Sequence, residues 1–131
     1  MSPEAYHLLI DVWETTADAL RWPAQCALIL EEMRRLAQME ELADPLLVYA
    51  SGEGKAWGPG ISGIVLFSDS HESFHGLENY GIAHLDLFSC HRFDWEAVAE
   101  LIRERLGGRG QVIVLDRSRG QGHKVEWRRH W

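Results

Sequence analysis

Residues 81–90 read GIAHLDLFSC, and this stretch decides the fold. Alternation along an extended chain sends Leu85 and Leu87 to one side and His84, Asp86, Phe88 and Cys90 to the other. A strand with one apolar face and one face of titratable groups belongs to a sheet packed on one side only. The next segment supplies a packing element. Asp94 is a cap residue for the amphipathic run DWEAVAELIRERL, which Gly107 and Gly108 close, and QVIVL at 111–115 returns as a strand.

Upstream, residues 6–14 are apolar, branched or aromatic apart from His7, Asp11 and Glu14, and predict a strand. The period then changes. Pro23 fits the first turn of a helix in which Cys26, Leu28, Ile29, Leu30, Met33, Leu36 and Met39 recur at three- and four-residue spacing. PLLVYA at 45–50 reads as a strand and SGEGKAWGPG at 51–60 as a glycine-rich connection. Residues 61–67 form a further strand, with a short extended piece over 72–75. Residues 117–131 are basic and aperiodic, which predicts a loop. The order β-α-β-β-β-β-α-β predicts an α+β two-layer sandwich, a largely antiparallel sheet with two helices on one face. The other face then needs cover, from the glycine-rich connection or from a second copy in a homodimer.

At 131 residues, 46% hydrophobic and 25% charged, the chain is expected to form a single domain over 1–131. A net charge of −7 excludes a general nucleic-acid binder, because phosphate affinity comes from an excess of Lys and Arg. No run of apolar residues is long enough to span a bilayer and the first residues do not read as a signal peptide. No membrane partner and a cytoplasmic location are therefore expected. Two cysteines, Cys26 and Cys90, define no disulfide framework.

The chemistry concentrates in residues 62–90, SGIVLFSDSHESFHGLENYGIAHLDLFSC. The pair Ser62-Gly63, the run Ser68-Asp69-Ser70-His71, then His75, Tyr80-Gly81, Asp86, Phe88 and Cys90 resemble, in type and spacing, the motifs of bacterial and archaeal S-adenosylmethionine decarboxylases. The resemblance extends more weakly to His7, Asp11 and Glu14 in the first strand and to LDRSRG near the end. It implies a self-processing proenzyme of polyamine biosynthesis, cut between Asp69 and Ser70 into a β chain of residues 1–69 and an α chain of residues 70–131. It also implies a covalent pyruvoyl cofactor derived from Ser70, a small amino-acid-type substrate and a dimer of processed pairs. By the same resemblance His75 is the proton acceptor of processing, Ser62 the supporting hydroxyl and Cys90 the proton donor of decarboxylation. Asp11 and Glu14 fall where the family places acids near the substrate.

Three positions depart from the family pattern. Asp69 stands where glutamate is usual, and the HTWPE block reads His75-Gly76-Leu77-Glu78-Asn79, putting the ribose-binding acid on Asn79 with Glu78 one place early. The adenine-stacking aromatic falls on Ala56, with Trp57 adjacent. These departures leave open the arginine and ornithine decarboxylases of the same family, for which Asp11, Glu14 and Glu78 offer carboxylates to a guanidinium or ammonium group. An unprocessed, non-catalytic binding homologue is a further alternative. His71, His75, His84, Cys90 and His91 form a loose set of metal-ligand types, but His71 and His75 lie about 13 Å apart along a strand, and no metal is expected.

Overall fold

The computed structural model describes residues 3–120 and 122–131. Strand β1 (Tyr6–Trp13) leads through a single 3-10 turn to α1 (Pro23–Ala37). Strands β2 (Leu46–Ala50), β3 (Gly60–Leu66), β4 (His71–Leu77) and β5 (Ile82–Ser89) follow, then α2 (Trp95–Leu106), β6 (Arg109–Asp116) and β7 (Lys124–His130). The seven strands form one sheet in the order β2-β3-β4-β5-β1-β6-β7, every neighbour antiparallel. With α1 and α2 packed on one face, this is the expected α+β two-layer sandwich. No helix among the described residues is long and apolar enough to cross a membrane.

Alternation explains the layers. Tyr6, Leu8, Ile10 and Val12 of β1, Leu85 and Leu87 of β5, and Val112 and Val114 of β6 are buried in one core with Ile29, Leu30 and Met33 of α1 and Val98, Leu101 and Ile102 of α2. Local signals set the helix ends as read: Asp94 accepts a hydrogen bond from the Ala97 amide at 3.0 Å, and Pro23 opens α1. Gln38 closes α1 in the left-handed conformation, with φ 57°. The reverse face of the sheet carries His7 and Asp11, His84, Asp86 and Phe88, His71 and His75, Ser62, and the exposed apolar side chains of Leu46, Val48, Ile64 and Leu66.

Two expectations need correction. The extended piece at 72–75 is the middle of a full strand, His71–Leu77, paired on both sides. More substantially, the tail is not a loop: β7 pairs along β6, with a bulge between Val114 and Leu115. Its inward side chains are Trp127, Arg129 and Trp131, so one of three inward positions is charged and no apolar period shows. Arg129 meets Glu100 of α2 at 2.8 Å, and the Trp131 indole donates to the Gly107 carbonyl at 3.3 Å. Gly110 makes room for that ring, since a Cβ there would lie 2.2 Å from it.

One core residue breaks the pattern. Glu72 is fully buried between β4 and α1, and neither carboxyl oxygen has a hydrogen-bond partner among the described residues. Burial pushes its carboxyl from 4.5 up to about 9, with the Arg34 guanidinium pulling partly back and Glu31, Glu41 and Asp86 adding to the rise. The native chain therefore keeps a proton that the unfolded chain releases, and stability falls as pH rises between about 4.5 and 9. Glu72→Leu is expected to raise the melting temperature at pH 8 and to remove most of this alkaline slope, relieving about 1–3 kcal/mol of unpaired polar burial. Thermal melts from pH 5 to 9 check both effects.

Candidate active site

Hairpin register assembles the first group. Pairing of His71 with Phe88 sets Asp69 and Ser70, in the β3–β4 turn, against Ser89 and Cys90 at the end of β5. The turn is closed by the Phe67 amide donating to the Ser70 carbonyl at 2.9 Å. Ser70 is buried, its Oγ accepting from the Cys90 amide at 3.2 Å and donating to the Asp69 carboxylate at 3.2 Å. The Cys90 thiol donates to the Asp69 carbonyl oxygen at 3.2 Å. A hydroxyl, a neighbouring peptide carbonyl and a donor on that carbonyl oxygen thus meet within one turn.

A second group lies at the opposite end of the same hairpin. Ser62 and His75 are cross-strand partners, and Ser62 Oγ is 2.8 Å from His75 Nδ1. Beside them a cavity of about 480 Å³ opens beneath the glycine-rich connection, lined by Lys55, Trp57, Ser62, Gly76 and Leu77 among others. The Asn79 amide packs on Gly58 of that connection. Close backbone contact shapes the floor: a Cβ on Gly60 would stand 1.8 Å from the Gly76 carbonyl oxygen.

The carboxylates singled out in the sequence are engaged elsewhere. Asp11 meets His84 Nδ1 at 2.7 Å and Gln111 at 3.1 Å. Glu78 accepts from the Tyr49 hydroxyl at 2.9 Å and pairs with Arg21 at 3.4 Å. Glu14 follows β1 with φ 57° and faces Arg109 at 3.8 Å.

Between the two groups runs a network that sequence reasoning did not assemble. Asp86 receives His7 Nε2 at 2.7 Å and the Ser73 hydroxyl, with His71 Nε2 at 3.4 Å. Arg117 donates to His7 Nδ1 at 3.1 Å, so His7 gives its Nε2 proton to Asp86. Burial pushes the Asp86 carboxyl up, but hydrogen bonds from His7 and Ser73 outweigh it and hold the group below the usual carboxylate range. His7, His71 and Asp86 bring ligand-type atoms within 4.8 Å of one another. A cation there would have to displace the His7 proton beside a guanidinium, so the trio is a hydrogen-bond network. The expected loose histidine set is dispersed: His71 joins Asp86, His75 joins Ser62 and His84 joins Asp11.

The family model described as S-adenosylmethionine decarboxylase matches residues 6–120. The chain belongs to the S-adenosylmethionine decarboxylase family. It is 30% identical over 119 residues to the S-adenosylmethionine decarboxylase proenzyme of Pseudomonas paraeruginosa (strain DSM 24068 / PA7), covering 89% of this chain and 68% of that relative. With the proenzyme of Anoxybacillus flavithermus it shares 36% identity over 62 residues, 47% of this chain and 50% of the relative, so that match spans half the relative's length. The adenosylmethionine decarboxylase structure from Aquifex aeolicus VF5 has the same fold, with a TM-score of 0.73 at 20% identity over 95% of this chain and 98% of the other.

Within this decarboxylase family member the two thiols differ sharply. Cys26 is fully buried and its thiol is pushed up to about 12 by burial, with Glu72 adding to the rise, whereas Cys90 is partly exposed. Iodoacetamide on the native protein is expected to label Cys90 alone, Cys26 reacting only after denaturation. Peptide mass mapping checks this, and early labelling of Cys26 would contradict the packing.

Proposed function

We propose that the chain is the proenzyme of a pyruvoyl-dependent S-adenosylmethionine decarboxylase, cut between Asp69 and Ser70 into residues 1–69 and 70–131. The observation that carries this is the Cys90 thiol on the Asp69 carbonyl oxygen, with Ser70 Oγ in the same turn. Attack of Ser70 Oγ on the Asp69 carbonyl carbon converts the peptide to an ester and frees the Ser70 nitrogen as an amine. The Cys90 S–H faces the oxygen on which negative charge develops. A base then removes the Ser70 Cα proton, the Cβ–Oγ bond breaks and Asp69 leaves as a carboxylate carrying Oγ. Hydration of the resulting dehydroalanine releases ammonia and leaves a pyruvoyl group on His71. No oxidant or reductant is needed. That group supplies an electron sink for loss of carbon dioxide, as pyridoxal phosphate would. Cys90, beside it, keeps a proton for the product carbon.

His75 and Ser62 do not reach this turn within one chain. Five residues of extended strand separate Ser70 from His75, roughly 16 Å, whereas a base has to stand about 3 Å from its proton. Both groups nevertheless face the side of the sheet opposite the helices. Two copies meeting there about a two-fold axis would set the His75 and Ser62 of each against the Ser70 and Cys90 of the other, burying Leu46, Val48, Ile64 and Leu66. We therefore take the enzyme to be a homodimer with two shared sites.

For substrate, the cavity beside Ser62 is large enough for a nucleoside, and Trp57 on its wall offers an aromatic face one place from the family's position. The arginine and ornithine readings draw on Asp11, Glu14 and Glu78, which face His84 and Gln111, Arg109, and Tyr49 and Arg21 respectively. With both cysteines free, a cytoplasmic location fits.

Ser70→Ala is expected to give one uncut chain without carbon dioxide release from S-adenosylmethionine, read by intact mass and radiometric assay. Cys90→Ala should slow the cut and lower turnover together. Co-expression of Ser70→Ala and His75→Ala chains, each inactive alone, should restore about a quarter of wild-type activity, since half the dimers are mixed and hold one intact site of two. No recovery would remove the shared site.

A further inference from the structure

We infer that, in the self-processing enzyme proposed above, His71 and Asp86 are positioning residues that hold the new chain end once the Asp69–Ser70 bond is gone. Before the cut, residue 70 is held, besides its link to His71, by the peptide bond to Asp69, by the hydrogen bonds of its Oγ with the Cys90 amide and the Asp69 carboxylate, and by the Phe67 amide on its carbonyl. Processing removes the peptide bond and both Oγ contacts, because Oγ departs in the Asp69 carboxylate. The terminal acyl group is then bonded only to the His71 nitrogen, with the Phe67 amide of the other fragment as its one remaining hydrogen bond among the described residues. Chain ends fray unless tied down, and a reactive group displaced by about 1 Å loses much of its rate.

Residue 71 is the tied residue. Its ring stacks on Phe88, centroids 5.8 Å apart at 27°, and its Nε2 lies 3.4 Å from Asp86. Asp86 is fixed in turn by His7 from β1 at 2.7 Å and by Ser73 from β4. Arg117 completes the chain by binding His7 and lying 5.0 Å over Phe88. Three adjacent strands thus converge on the side chain that follows the cut. Phe88 also stands two residues before Cys90 on the same face, so the tie fixes the ring beside the proton donor. None of these contacts involves Asp69 or Ser70 Oγ, so all survive processing.

The experiment compares Asp86→Asn, His71→Ala and His71→Gln with wild type, the last keeping a donor near the Nε2 position. All are expected to process fully and to melt near wild type. In Asp86→Asn and His71→Ala, kcat should fall about tenfold or more with KM within about twofold, the signature of lost positioning. Phenylhydrazine, followed by intact mass without substrate, should trap the terminus of these two several-fold faster. His71→Gln should recover both values. Wild-type kcat and trapping in His71→Ala, or a raised KM at unchanged kcat, would overturn the tie. So would arrested processing in a normally folded His71→Ala chain, which would put the contact's role before the cut. A wild-type chain that stays whole and forms no hydrazine adduct would instead remove the self-processing reading itself.

Discussion

The alignment of β4 on β5 is the constraint from which the site follows. Because His71 stands opposite Phe88, the turn before β4 falls against the segment after β5, and the Cys90 amide and thiol reach Ser70 Oγ and the Asp69 carbonyl. A slip of one residue would turn Phe74, Leu85 and Leu87 out of the core and carry Cys90 away from that carbonyl. The apolar side chains packed under the helices therefore hold the alignment on which the chemistry rests. Core packing and site geometry here are two readings of one set of hydrogen-bonded ladders.

The two sides of the sheet carry different physics. Under α1 and α2 the fully buried side chains are mostly apolar, and Glu72 stays neutral there because burial outweighs the pull of the Arg34 guanidinium. On the reverse side charges come in partnered sets: His7 with Asp86, His84 with Asp11, Glu78 with Tyr49 and Arg21. Partnering commits these carboxylates within the fold, and the glycine-walled cavity near Trp57 stands open beside Ser62.

Much of this was legible in the amino-acid order. GIAHLDLFSC already separates Leu85 and Leu87 from Asp86 and Phe88, and the cap at Asp94 and the proline at Pro23 mark helix starts that the structure repeats. The resemblance implies one site drawing on Ser62, Ser70, His75 and Cys90, but not their separation into two groups within the chain. Spacing gives distance along the chain, whereas the strand runs straight and carries His75 away from the turn. Strand β7 was missed for a different reason: Arg129 occupies an inward position with its charge balanced by Glu100, which hides a period of two. The tie through His7 and Asp86 joins residues 79 apart, a closeness that only the β1–β5 pairing creates.

Strand order has one more consequence. A break after Asp69 would leave β1, α1, β2 and β3 in one polypeptide and β4, β5, α2, β6 and β7 in the other, yet β1 lies between β5 and β6. The halves are interleaved like folded hands, and neither can withdraw without stripping three ladders at once, β3 on β4 and β1 on both β5 and β6. Maturation would thus leave the assembly intact while making its loss one-way, because dispersed pieces would have to find each other again in solution.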